Sequence, residues 1–213
     1  MNAAVASPAG FWKRYVAYCI DALLVWSVLE ALWWLLFRNA GSAELEHLRE
    51  LLAQLQAGQG APVDATAVVL EASSVLTGLM LATMLAYAVL GGAYFILMES
   101  SRWQATLGKR LVGIEVVDAA GHRITPARAL GRFAAAGLSW LTMNIGHALA
   151  AWKPERRALH DYLAGTCVVN ADPSRPGMPW WGWLVVAANA LAFVAVIVFT
   201  MVAAWQAVQA AAG

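Results

Sequence analysis

Three long apolar stretches, separated by polar segments, dominate the pattern of this sequence. They cover residues 15–37, 73–98 and 180–205. At a helical rise of 1.5 Å per residue, each stretch is long enough to cross a bilayer core of about 30 Å. We therefore expect three membrane-spanning helices, the last of them with tryptophans at both ends, as is typical of a membrane interface.

A fourth apolar segment, residues 127–152, has the length of one crossing but is interrupted. Thr142 to His147 bring polar and glycine residues into it, and Arg128 and Arg132 lie on one face near its start. Irregular backbone at membrane depth is tolerated only where protein or water covers it. The segment either crosses once or, as we prefer, enters and returns as a broken pair of short helices.

The polar segments also carry predicted structure. Within the connection 38–72, residues 43–57 place leucines at helical spacing, which predicts a short amphipathic helix. A short surface helix is expected around Lys109 and Arg110. Residues 111–125 combine β-branched residues, a turn at 118–121 and a returning strand, which predicts a β-hairpin. Residues 1–10 are expected to be loose, and a linker from residue 171 leads to the last helix.

The distribution of lysine and arginine predicts the orientation. Lys13 and Arg14 precede the first helix, and residues 100–132 contain six basic side chains, whereas the connection 38–72 is acidic. The positive-inside rule then puts the N-terminus and the hairpin in the cytoplasm and the connection outside. The basic residues of 153–179 fit this scheme only if 127–152 returns. The expected fold is an all-α, multi-pass membrane bundle with a broken or re-entrant segment and a small cytoplasmic β-hairpin.

Composition supports a membrane protein and narrows the functional classes. Of the 213 residues, 61% are hydrophobic and 13% are charged, against about 25% charged in soluble domains. A formal net charge of +1 does not favour a nucleic-acid partner. Cys19 and Cys167 match no metal or redox spacing. Phosphate-loop, HExxH and GxSxG motifs are absent from the sequence, so we expect no enzyme activity, cofactor or metal.

Two acidic residues lie inside the first apolar stretch. A carboxylate at membrane depth costs roughly 2.5–3.5 kcal/mol and often marks a functional site. Arg14 and Asp21 are two helical turns apart and share a face, whereas Glu30 lies on the opposite face from Asp21. We take the Arg14 and Asp21 face as the candidate site. Glu30 could bind a proton, meet Arg128 or Arg132, or extend towards the outer interface.

The residues around these charges identify a resemblance. The chain resembles the RDD family of bacterial membrane proteins, which is named for an arginine before the first helix, an aspartate within it and a later aspartate. The matching residues here are Arg14, Asp21 and Asp161, in the contexts ATLGKRLVGIEVVDAAGHRIT, ARALGRF and ALHDYLAGTCVV. Residues 11–170 would form the RDD-like membrane domain. The resemblance implies a multi-pass protein of the bacterial inner membrane, in a family for which transport is suspected.

Two functional hypotheses follow for the cluster of Arg14, Asp21 and Asp161. It could belong to a small ion or solute transporter and bind a small cation or proton. Alternatively, it could form a structural clasp in a non-transporting membrane scaffold or complex subunit, because buried charges need partners. His147, near the predicted break, could titrate near neutral pH or be structural. The expected partners are the lipid bilayer and either a second copy or another membrane protein.

Overall fold

The computed structural model describes residues 7–37, 65–142, 144–152 and 154–212, with isolated helical positions between residues 43 and 53. Its helices and strands, in chain order, are α1 (Phe11–Phe37), α2 (Ala65–Ser100), α3 (Leu107–Leu111), β1 (Ile114–Asp118), α4 (Pro126–Leu141), α5 (Ile145–Trp152), α6 (Leu159–Ala164), β2 (Thr166–Asn170) and α7 (Trp180–Ala212). The leucines of the predicted amphipathic helix 43–57 (Leu45, Leu48, Leu52 and Leu55) lie outside the described residues.

Three of these helices are long and apolar enough to cross a membrane. The candidate spans are Phe11–Leu36, Thr66–Ser100 and Trp180–Ala210. They match the three predicted apolar stretches to within one residue at Phe37, so the expected three helices of membrane-crossing length are present. Each helix is longer than predicted because its backbone hydrogen bonds continue beyond the apolar run into more polar residues.

The chain divides into two compact units. One consists of Met1–Asp21 and Ile96–Gly213, and the other of Ala22–Phe95. In the second unit, α1 and α2 contact each other through a few side chains. Trp26 and Tyr87 have ring centroids 6.0 Å apart, and a Cβ at the buried Gly91 would lie 3.8 Å from the side chain of Val25. Glycine at such positions lets membrane helices approach each other.

The first unit is built around a two-stranded antiparallel sheet. β1 pairs with β2, with Val116 opposite Val168. Both edges of the sheet are covered. The amide of Ala9 donates to Val168 O at 2.9 Å on one side, and the amide of Val116 donates to Gln104 O at 2.7 Å on the other. A covered edge is not available to pair with another chain. The hydrogen bonds at both edges instead join segments of this unit.

A single hydrophobic core lies beneath the sheet. It joins Val16 of α1 and Val116 and Val168 of the two strands to the first residues of α7, where Trp181 and Val185 pack against it. The N-terminal residues Ser7 to Ala9, which were expected to be loose, pair with β2. Residues 7–9 are thereby fixed next to the start of α1.

The predicted hairpin over 111–125 is wrong in its second strand. Residues 122–125 form only an isolated bridge, between Arg123 and Val117. The side chain of Asp118 accepts hydrogen bonds from the amides of Ala120 and His122, both at 2.9 Å, and so closes a tight turn. Pro126 then begins α4 too soon for a strand to form. The partner of β1 is instead TCVVN of β2, which lies about 50 residues later in the chain.

The fourth apolar segment is two helices, as the preferred interpretation predicted. α4 ends at Leu141 and α5 begins at Ile145. Between them Asn144 adopts a positive φ of 65°, and its amide donates to Ser139 O at 2.7 Å. A Cβ at Gly146 would lie only 2.2 Å from Ser139 Oγ, so α5 folds back closely onto α4. Only glycine fits at this contact.

Candidate functional site

Five charged side chains from five segments form one continuous network in the first unit. Asp161 binds Arg14 at 2.5 Å and also binds Arg132. Arg132 Nε contacts Glu99 at 3.0 Å, and Lys109 Nζ contacts the other oxygen of Glu99 at 2.5 Å. The order Arg14, Asp161, Arg132, Glu99, Lys109 alternates in sign. Four of the five are buried, and Arg14 is largely so.

Asp161 is the centre of this network. It is the third residue of α6, where its side chain accepts a hydrogen bond from the amide of Ala158 at 2.9 Å. Gly165, with φ of 62°, ends the helix and leads directly into β2. Burial alone would raise the pKa of Asp161, but the positive charges of Arg132 and Arg14 outweigh it and hold that pKa far below its usual range. Asp161 is therefore an anion at physiological pH.

The spacing of buried residues along α4 places Arg132 on the face that meets Asp161. The buried residues Ala129, Arg132, Ala135 and Ser139 recur every three or four positions, so a stripe of small residues flanks one large cation. Arg132 also donates to Thr166 Oγ1 at 3.1 Å. Its donors thus contact α6, β2 and the end of α2. An ion pair with Arg132 was one of the roles expected for Glu30. The side chain of Arg132 contacts these three segments instead.

Glu99 and Lys109 were missed as site residues in the sequence. Lys109 was expected on a surface helix, whereas Glu99 and Lys109 are only 4% and 8% exposed. The balance of buried charge indicates that the network needs a further acidic residue. Arg14, Arg132 and Asp161 alone would bury one cation without a partner, so a further carboxylate is required. The sequence does not specify which acidic residue fills that need.

Asp21 occupies a separate hydrogen-bonded position. Its carboxylate accepts from Thr106 Oγ1 at 2.5 Å and from the amide of Gly108 at 2.8 Å. A Cβ on Gly108 would lie 2.2 Å from the backbone oxygen of Ala17. The small residue lets α3 lie directly on α1, and Asp21 fastens it there. Arg14 and Asp21 share a face of α1, as expected, and hold different segments against it.

The other candidate residues have different environments. Arg128 forms a partly exposed ion pair with Asp118 at 3.3 Å. Glu30, in the second unit, has an exposed side chain on α1. The ring of His147 lies 5.0 Å from that of His160 and 6.4 Å from that of Tyr18. These residues therefore do not share one set of partners with Asp161.

His160 is a further titratable group at the network. Its Nε2 lies 3.5 Å from Asp161 Oδ1, although neighbouring residues on a helix seldom face each other. Burial, reinforced by the positive charge of Arg132, lowers the pKa of His160 well below its ordinary value. Its imidazole is therefore neutral at physiological pH.

The network leaves little room for a bound cation. Both oxygens of Asp161 and both oxygens of Glu99 already accept hydrogen bonds from protein donors. A cation could bind either carboxylate only by displacing an arginine or a lysine. Among the described residues, no group of three or more His, Cys, Asp or Glu side chains is arranged to hold a metal ion.

Comparisons with known proteins identify the family of this chain. The sequence profile of the RDD family matches residues 8–165, which include every residue of the network and Asp21. This chain belongs to the RDD family. The uncharacterized protein YxaI of Bacillus subtilis (strain 168) is 32% identical over 162 residues, which are 76% of this chain and 97% of that protein. No solved structure matches. Helix α7 lies beyond the residues that the RDD profile matches.

We expect Arg132→Met to reduce the free energy of unfolding by about 3–5 kcal/mol, because it leaves two buried carboxylates short of a cation. Arg128→Met, one turn earlier on the same helix, removes a partly exposed ion pair and should cost about 0–1 kcal/mol. Denaturant titration of the two purified variants in the same detergent measures the difference. Equal losses would contradict a central role for Arg132.

The buried His160 should make the protein sensitive to acid. Its pKa is lower in the folded than in the unfolded state, whose value is about 6.5, so the unfolded chain binds the proton first as pH falls. Stability should therefore decrease below about pH 6.5. Melting temperatures in detergent, compared at neutral and mildly acidic pH, should fall less for His160→Gln than for the wild type. The exposed His122→Gln serves as control, and a wild-type-like fall in His160→Gln would refute the assignment.

Proposed function

We propose that the charged network is a structural clasp and that this RDD protein is a non-transporting membrane scaffold or complex subunit. The observation that supports this role best is the saturation of Asp161 and Glu99, whose carboxylate oxygens are all bound by protein donors. A site that exchanges ions needs at least one oxygen that can be released to the ion at low cost. A clasp needs carboxylate oxygens that stay bound to protein donors.

The network also joins five segments of the first unit. Arg14 contributes from α1, Arg132 from α4 and Asp161 from α6, with Glu99 and Lys109 adding the end of α2 and α3. Removing these charges from water is costly, so a buried pair adds little net stability but strongly disfavours arrangements that separate its members. The network thus specifies one arrangement of these segments.

Transport of a small cation or proton is the second candidate. The break between α4 and α5, with His147 close to it, is the feature that favours it, because ion sites in transporters are often built at broken helices. In this hypothesis a cation or proton would compete with Arg14 for Asp161. The clasp hypothesis predicts that such competition does not occur. The proposed clasp role is also non-enzymatic.

The proposed topology has the N-terminus and the whole sheet on the cytoplasmic side of the bacterial inner membrane. Hydrogen bonds join Ala9 to β2, and β2 to β1, so these three segments must lie on one side of the membrane. The chain between β1 and β2 must then return to the side from which it started. This supports a re-entrant or interfacial position of α4 and α5 rather than a single crossing, while the basic residues favour the cytoplasmic side.

The clasp predicts that Asp161→Asn and Asp21→Asn lower the abundance and melting temperature of the protein, since each removes an acceptor from a buried contact. Vesicles that contain the wild-type protein should show no flux of protons, Na⁺ or K⁺ above protein-free vesicles, as followed by an entrapped pH-sensitive dye and by ion-selective electrodes. The exposed Asp172→Asn is the matched control and should resemble the wild type. Wild-type flux that Asp161→Asn or Asp21→Asn abolishes without a change in melting temperature would support transport instead.

The topology predicts the sidedness of two exposed positions. In a Cys19→Ser, Cys167→Ser background, a single cysteine introduced by Ala120→Cys or Ala171→Cys should react with a membrane-impermeant thiol reagent only in permeabilised cells. The first position follows β1 and the second follows β2. Labelling of either one in intact cells would contradict a cytoplasmic sheet.

A further inference from the structure

An exposed surface with both apolar and basic side chains follows the end of α2. It consists of Arg102, Trp103, Leu107, Arg110 and Leu111, which we call the α3 surface. Its three apolar residues are exposed: Trp103 by 42%, Leu107 by 39% and Leu111 by 62%. The guanidinium of Arg110 lies 4.3 Å from the centroid of the Trp103 ring. Two large apolar side chains, an aromatic ring and two cations thus share one short exposed segment.

The α3 surface is held at the level of the membrane boundary. Arg102 follows directly after Ser100 and Ser101, where the candidate span Thr66–Ser100 ends. α3 itself is fixed against α1 by the contact of Gly108 with Ala17 and Asp21, which belong to the candidate span Phe11–Leu36. A segment fastened to a membrane-spanning helix cannot move away from the bilayer. Its exposed leucines therefore meet lipid or the lipid headgroup region.

The two arginines of this surface differ from the other cations nearby. Lys109, between them in sequence, turns inward to Glu99, and Arg128 is paired with Asp118. In the part of the chain that the structure describes, no carboxylate lies within ion-pair distance of Arg102 or Arg110. Their positive charge is available to an external anion.

We propose that the α3 surface binds the headgroup of an anionic phospholipid. Arg102 and Arg110 contact the phosphate, which guanidinium groups recognise through paired hydrogen bonds. Trp103 lies among the headgroups, as interfacial tryptophans do, and Leu107 and Leu111 contact the first carbons of the acyl chains. The apolar pair distinguishes a lipid from a soluble phosphate, because a free anion has nothing to place against the leucines. This interaction does not depend on whether the protein is a scaffold or a transporter.

Native mass spectrometry of the full chain in detergent tests this assignment. Phosphatidylglycerol should bind more tightly than phosphatidylcholine with the same acyl chains. Because each basic residue near an anionic surface contributes about a fivefold change in binding, Arg102→Gln with Arg110→Gln should weaken phosphatidylglycerol binding by about 25-fold. The pair Arg123→Gln and Arg175→Gln removes the same charge from exposed positions elsewhere in the unit and should leave binding within about twofold of the wild type.

A second pair of variants separates the lipid from a free anion. Leu107→Ser with Leu111→Ser should weaken phosphatidylglycerol binding while both arginines remain, and soluble glycerol phosphate at the same concentration should not displace the lipid. Melting temperatures close to that of the wild type show that each variant is folded. Equal binding of the two lipids, an equal loss in the control pair, or displacement by glycerol phosphate would overturn the proposal.

Discussion

The first unit depends on the cost of removing charge from water. An isolated buried carboxylate or guanidinium is so unfavourable that the protein must supply a partner for each one. Asp161 is fully buried and accepts from two arginines, which commits the chain to bring α1, α4 and α6 together at one point. Arg132 then requires a second anion, and Glu99 in turn binds Lys109. This chain of requirements acts together with the hydrophobic core beneath the sheet to set the arrangement of the segments.

Asp21 imposes an independent constraint of the same kind. It is completely buried, and its acceptors are satisfied by a hydroxyl and a backbone amide of the TLGKR segment. That solution demands a glycine at position 108, since any Cβ there would collide with the backbone of α1. A residue that looks like a transport carboxylate in the sequence is therefore explained by local packing. The same observation accounts for the proximity of Asp21 to Arg14 along the helix without requiring them to bind one ligand.

The features predictable from the sequence were those that depend on nearby residues. The apolar runs gave three helices of membrane-crossing length, and the polar and glycine residues at 142–147 marked the break between α4 and α5. The pairing of β1 with β2 was not predictable in this way, because a close turn after Asp118 suggested a local partner and the true one is about 50 residues away. Glu99 and Lys109 were missed for a related reason. Their side chains look like interfacial charges until the position of Arg132 is known.

The network and the sheet together restrict how the chain can lie in a membrane. Arg132 is in the middle of α4, and its two anionic partners come from the end of α2 and from α6. If α4 carried the chain across the bilayer, Glu99 and Asp161 would lie on opposite sides, and one ion could not reach both. In the proposed topology, the ion pairs stabilise the return of 127–152 in the same way that strand pairing does. An amphipathic helix that buries Arg132, leaves Arg128 partly exposed and exposes Leu130 and Leu138 suits a position at the membrane surface, with its apolar face towards lipid.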